Sequence, residues 1–271
     1  MPRLRAPSLG LGLAFGPLAL RAAQAGVAVA VAWLACVSAF CPPAQAEAPA
    51  PPETQRVLYT QPLPSPIVAK TSPASRWASL SSSQCLAEMA RRKLGVTRFR
   101  GAAVGVQTPV RVTGPLGGVR FVTPGRKSPY GIMDCRLALA LSDLAPLLKR
   151  YDVVEARVDN MYRPHAHLPG KKKPSQHSYG LAADVTRFKR ADGSELIVER
   201  DFQGAIGEPV CGADARARAE LSSDAATLRD LICDVTRSGL FHHILTPNHD
   251  AAHRDHFHLD IARGARQRII E

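Results

Sequence analysis

SQHSYGLAADVTRF, residues 175–188, changes character halfway along. Its opening residues are polar and carry one histidine. From Gly180 onward small and β-forming residues take over, and LAADVTRF (Leu181–Phe188) reads as a strand. Ala191-Asp192-Gly193 is turn chemistry, and ELIVER (Glu195–Arg200) reads as the returning partner. His177 and Asp184 stand too far apart to share one helical turn, so a turn at Gly180 must fold them together. Small residues at 180, 182 and 183 let the backbone pass close to a metal ion at that point.

A second stretch, HRDHFHLDIA (His253–Ala262), supplies what the first lacks. Alternate side chains of a strand share a face, so His256, His258 and Asp260 can point one way. Two imidazoles then lie side by side at the mouth of a sheet, where one can bind metal while the other works beside it. A catalytic zinc site takes three nitrogen or oxygen ligands and leaves a fourth position open. Surface or hydrogen-bonded histidines would explain either stretch alone, whereas the two together in one domain make a specific signal. Asp260 is placed to orient a ligating histidine, and His253 stands next to the group. Of His242 and His243, which straddle a strand, at most one faces the site.

Working outward, SQCLAEMARRKL (83–94) and SDAATLRDLICDVTRSGL (223–240) have helical periodicity. So has DCRLALALSDLAPLLKRY (134–151), where Pro146 is expected to kink the helix or open a second one. TPVRVTGPLGGVRFVTP (108–124) reads as a hairpin, DVVEARVDN (152–160) as a strand before the Tyr162-Arg163-Pro164 turn, and FHHILT (241–246) and HFHLDIA (256–262) as closing strands. Helices precede and interrupt antiparallel strands without regular alternation, so the class is α+β, one domain. The expected organisation is a signal peptide over 1–46, a Pro/Ala/Ser-rich linker over 47–81, a domain over 82–263 and a tail over 264–271.

The signal rests on Arg3, Arg5 and Arg21, an apolar run Ala25–Phe40 and the small-x-small site Ala44-Gln45-Ala46. An uncleaved anchor is the alternative, but the run falls short of the roughly 20 residues that a spanning helix needs. No spanning helix is therefore expected in the mature chain, and the protein is read as exported to a periplasm or cell envelope. Cleavage removes two of the six cysteines and leaves Cys85, Cys135, Cys211 and Cys233. Four cysteines without CxxC spacing point to disulfides rather than a thiolate site. Of the three possible pairings, Cys85–Cys135 with Cys211–Cys233 joins neighbouring segments. The formal charge of +12 favours an anionic cell-envelope polymer as partner, and no stretch interleaves aromatics with basic residues as a nucleic-acid surface would. Lys171–Lys173, beside His165 and His167, form a basic loop that could cover the cleft.

SQHSYGLAAD resembles the S-x-H-x-x-G-x-A-x-D motif of zinc D-alanyl-D-alanine carboxypeptidases and dipeptidases, and DHFH resembles their closing D-H-x-H. More closely, Cys85 to Ala262 is similar to the bacterial extensin-like C-terminal domain family. The shared marks are the leading cysteine before a helix, DCRLALAL, the tyrosine-arginine turn, SxHxxGxAxD, a DG hairpin and the late HxxHFHLDIA. Ala183 fills a position usually held by Ile or Val, which alters packing more than ligation.

The resemblance implies a Hedgehog/DD-peptidase-like fold, with a central antiparallel sheet flanked by helices. It also implies Zn2+ held by His177, Asp184 and His258. Asp255 would be the general base and His256 the oxyanion stabiliser, the former only if the strand begins after it. Arg163 and Ser175 would contact substrate. The implied function is an exported zinc-dependent hydrolase of peptidoglycan stem-peptide amide bonds, acting as a monomer. The alternative is a non-catalytic zinc-containing domain that binds the envelope.

Overall fold

Residues 58–67 and 70–271 are described by the computed structural model. The expected signal peptide and the first part of the expected linker lie outside them. Helix α1 (Pro73–Ala78) is capped by Ser72 and carries proline at its first position, where no intrahelical amide is lost. Helix α2 (Ser82–Arg91) opens with a capping box between Ser81 and Gln84. Strands β1 (Val96–Arg98), β2 (Pro109–Val112), β3 (Arg120–Val122) and β4 (Met133–Asp134) follow. Asp134 then caps α3 (Cys135–Lys149). Twelve of the 15 residues of α3 are buried, so this helix is the centre of the core and is apolar on almost every side. It runs through Pro146 without dividing.

The second half holds β5 (Val153–Asn160), β6 (Ala182–Arg190), β7 (Glu195–Ile197), α4 (Val198–Asp201), α5 (Ser223–Ser238), β8 (His243–Leu245), β9 (Phe257–Asp260) and β10 (Ile269–Ile270). Seven strands make one sheet in the order β10-β8-β9-β6-β5-β3, with β7 also on β6; β1, β2 and β4 make a smaller sheet. From Asp184 to Arg190, β6 pairs with β5 along one edge. Its other edge is shared, Ala182–Val185 pairing with β9 and Arg187–Lys189 with β7.

The class is α+β, as the element pattern indicates, but four expectations need correcting. The sheet is antiparallel only at its centre, because β3 runs parallel to β5 and β10 parallel to β8. The hairpin expected over 108–124 does not form. Leu116 and Val119 make a tight bridge, after which buried Phe121 pairs with Ala156 in the large sheet, while β2 pairs with β1 and β4. The ordered fold also starts well before residue 82. Tyr59 is buried, its amide donating to Asp230 and its hydroxyl to the Arg216 carbonyl, and buried Trp77 donates to Asp143. Two isolated aromatics thus fix a stretch whose composition reads as linker. At the other end, the expected tail adds β10 to the sheet.

Disulfides join Cys85 to Cys135 and Cys211 to Cys233, with Cα atoms 6.2 and 5.8 Å apart. Such bonds are compatible with an exported protein. Among the described residues, no helix is long and apolar enough to cross a membrane.

Candidate metal centre

Strand register builds the site. β5 and β6 set Asn160 opposite Asp184, and β6 and β9 set Asp184 opposite His258. One step along the same face, Asp260 stands opposite His243 of β8. His177 arrives from outside the sheet, on a 3-10 turn (Gln176–Tyr179) capped by Ser175, whose Oγ accepts from His177 N at 3.3 Å. That turn ends at Gly180, where φ is 62° and an added Cβ would lie 2.9 Å from Asp134 N. Backbone conformation and close approach therefore both demand glycine there.

His177 Nε2, Asp184 Oδ1 and His258 Nδ1 stand at the corners of a triangle with sides of 3.1, 3.2 and 3.0 Å. All three residues are buried. His177 Nδ1 lies 3.2 Å from the Met161 carbonyl. A carbonyl only accepts, so the proton sits on Nδ1 and Nε2 presents a lone pair. His258 Nε2 lies 3.2 Å from Asp260 Oδ2, which draws a proton to that side and turns Nδ1 toward the triangle. Asn160 Nδ2 donates to the outer oxygen of Asp184 at 3.0 Å, leaving Oδ1 for the triangle.

Three lone pairs thus meet at one buried point, and a positive charge is needed to reconcile them. A proton on His258 is one answer: burial opposes its charge, but hydrogen bonds to Asp184 and Asp260 push its pKa up to about 9. Burial pushes His177 down, against the pull of Asp184. The Asp184 carboxyl would be raised by burial, yet the His177 and His258 imidazoles beside it hold it well below the usual carboxylate range. A metal ion is the other answer. Tetrahedral zinc, with ligands at about 2.0–2.1 Å, spaces its donor atoms about 3.3 Å apart. Donor types, spacing and the partners that orient both imidazoles all suit that ion.

β9 begins at Phe257, so Asp255 and His256 both precede it and strand alternation does not separate them. His256 Nδ1 lies 2.6 Å from Asp255 Oδ1, and its Nε2 lies 3.5 Å from Asp184 Oδ1. The pair therefore flanks the triangle, and the Asp255 side chain is 60% exposed. Arg163 is exposed and makes no ion pair among the described residues, while its amide donates to the His177 carbonyl at 3.1 Å. Ser175 is buried at the cap, with its hydroxyl engaged by the backbone.

His253 packs against this group, its ring 5.2 Å from His256 and 6.0 Å from His258. It bonds Asp250, which with His249 forms a second, half-buried cluster. His242 is buried apart from the triangle, its Nδ1 accepting from Ala262 N. His165, His167 and Lys171–Lys173 are exposed on the loop before Ser175. Sequence reasoning missed Asn160 and the Met161 carbonyl. The only hint was their place at the end of DVVEARVDN, directly before the Tyr162-Arg163 turn.

Residues 83–270 match the family described as Extensin-like protein C-terminus. No curated protein and no solved structure matches the chain.

Proposed function

The chain belongs to the extensin-like protein C-terminal family, and from that premise we propose that it is an exported zinc-dependent hydrolase of amide bonds in peptidoglycan stem peptides. The observation that carries this reading is the convergence of His177 Nε2, Asp184 Oδ1 and His258 Nδ1, with Asp255 and His256 on its flank.

Zinc bound there would polarise a scissile carbonyl and lower the pKa of water to about 7. Asp255, open to solvent, takes the proton of the attacking water and passes it to the leaving amine. His256, held through Nδ1 by Asp255, turns Nε2 toward the triangle, where a protonated ring would donate to the developing oxyanion. Asp260 and the Met161 carbonyl keep the two ligating imidazoles in the required tautomers. Arg163, without an ion-pair partner among the described residues, takes a substrate carboxylate in bidentate fashion. Disulfides and net positive charge suit work at an anionic envelope outside the cytoplasm.

Elemental analysis of the purified chain beside His258→Ala tests the site. About one zinc per chain, lost in the variant, is the expected result, and an absence of zinc in the parent overturns the reading. Digestion of purified peptidoglycan then tests the chemistry. Asp255→Ala should keep its metal while losing about 10²–10⁴-fold in rate. Zinc retained with no digestion by the parent chain would favour the non-catalytic, envelope-binding alternative.

A further inference from the structure

A groove of about 650 Å³ opens next to the trio without containing it. Among the described residues three cations line it, Lys173, Arg263 and Arg266, and no acidic residue does. Arg263 spends its guanidinium on the Ala78 carbonyl and the Gln107 side chain. Lys173 and Arg266 are exposed and make no ion pair among the described residues. Gln176 and Gln267 add side-chain amides, and Ile67, 71% exposed, adds an apolar wall.

The groove reaches the metal centre by two routes. Gln176 immediately precedes His177 in the 3-10 turn. His243, on the groove wall, lies 2.8 Å through Nδ1 from Asp260, which in turn lies 3.2 Å from His258.

We propose that this groove binds an acidic peptide, holding the part of the substrate that extends away from the scissile bond. The assignment rests on the hydrolase reading above and adds the chemistry that the substrate must carry. A peptide matches all three kinds of lining group. Its carboxylates meet Lys173 and Arg266, its backbone amides meet the donor and acceptor atoms of Gln176 and Gln267, and small side chains lie against Ile67. A phosphate polymer would use the cations and leave the two glutamines and the apolar wall without a role.

Calorimetric titration of the full chain carrying Asp255→Ala, which suppresses turnover, provides the test. The probes are the peptide Ala-Glu-Ala-Ala, its neutral counterpart Ala-Gln-Ala-Ala, and inorganic phosphate. The glutamate peptide should bind, and the glutamine peptide should bind about tenfold more weakly. Adding Lys173→Gln and Arg266→Gln should remove that difference; both residues are exposed, so folding is not at stake. Equal binding of the two peptides, indifference to the double substitution, or phosphate binding in place of peptide would each overturn the proposal. The same titration, set beside the zinc content and digestion of the unsubstituted chain, separates the two readings. Charge-dependent peptide binding without zinc or digestion leaves the groove and removes the hydrolase. Digestion without charge-dependent binding does the reverse.

Discussion

Asn160 shows how little of a site need be its ligands. Its side-chain amide holds the outer oxygen of Asp184 across the β5–β6 pairing and so aims the inner oxygen at the two histidines. Asn160→Ala should therefore weaken zinc binding about 10- to 100-fold, measured by competition with a chelator of known affinity. An unchanged affinity would mean that the sheet alone orients Asp184. His242 offers a separate test away from the trio. Burial lowers its pKa to about 4, and its Nδ1 must stay unprotonated to accept from Ala262. Its contribution to stability is complete above the unfolded value near 6.5 and is lost as pH falls toward 4, amounting to about 3 kcal/mol. The stability difference between the parent and His242→Gln, from urea midpoints, should shrink steadily from pH 7 to pH 4. A difference independent of pH would show that His242 does not titrate in that window. The turn that folds His177 toward Asp184 is legible in Gly180, whereas the joining of His258 to them is implied by the motif resemblance rather than by spacing. A lone asparagine and a backbone carbonyl have no spacing to read, so Asn160 and Met161 emerge only from the register.

Helix α3 and its disulfide carry the next level of organisation. Cys85–Cys135 ties α2 to the first residue of α3, just behind Asp134, whose amide donates to the Gly180 carbonyl. The two cysteines are 50 residues apart. Replacing both with serine should cost about 4 kcal/mol by loop-closure entropy, read as a drop in thermal midpoint. No drop would place the stabilisation of α2 entirely in side-chain packing. Long elements were readable from sequence: α3 and α5 from their apolar periodicity, β6 from its β-forming run. Short ones were not. β3 and β10 have three and two residues, too few to show alternation, and nothing in VRFV tells a returning hairpin strand from one that leaves for another sheet. Pro146, three residues before the end of α3, opens no second helix, because the buried residues on either side of it hold the last turn in place.

The family match begins at residue 83, yet the folded molecule includes Tyr59 and Trp77. Burying two such aromatics contributes about 1.5–3 kcal/mol each. A chain trimmed to begin at residue 82 should therefore melt at a distinctly lower temperature than one beginning at residue 58. Equal melting would make the earlier segment an ornament on a complete domain. Composition hid this because proline, serine and alanine dominate the stretch, and two aromatics among them barely change its average. The distance between the ligands along the chain has a consequence of its own. His177 and His258 are 81 positions apart, and their donor atoms come together only when β6 and β9 have paired and the 3-10 turn has closed on Gly180. On the zinc reading the place for the ion exists only in the paired sheet, so a captured zinc ion would report that these distant segments have already come together.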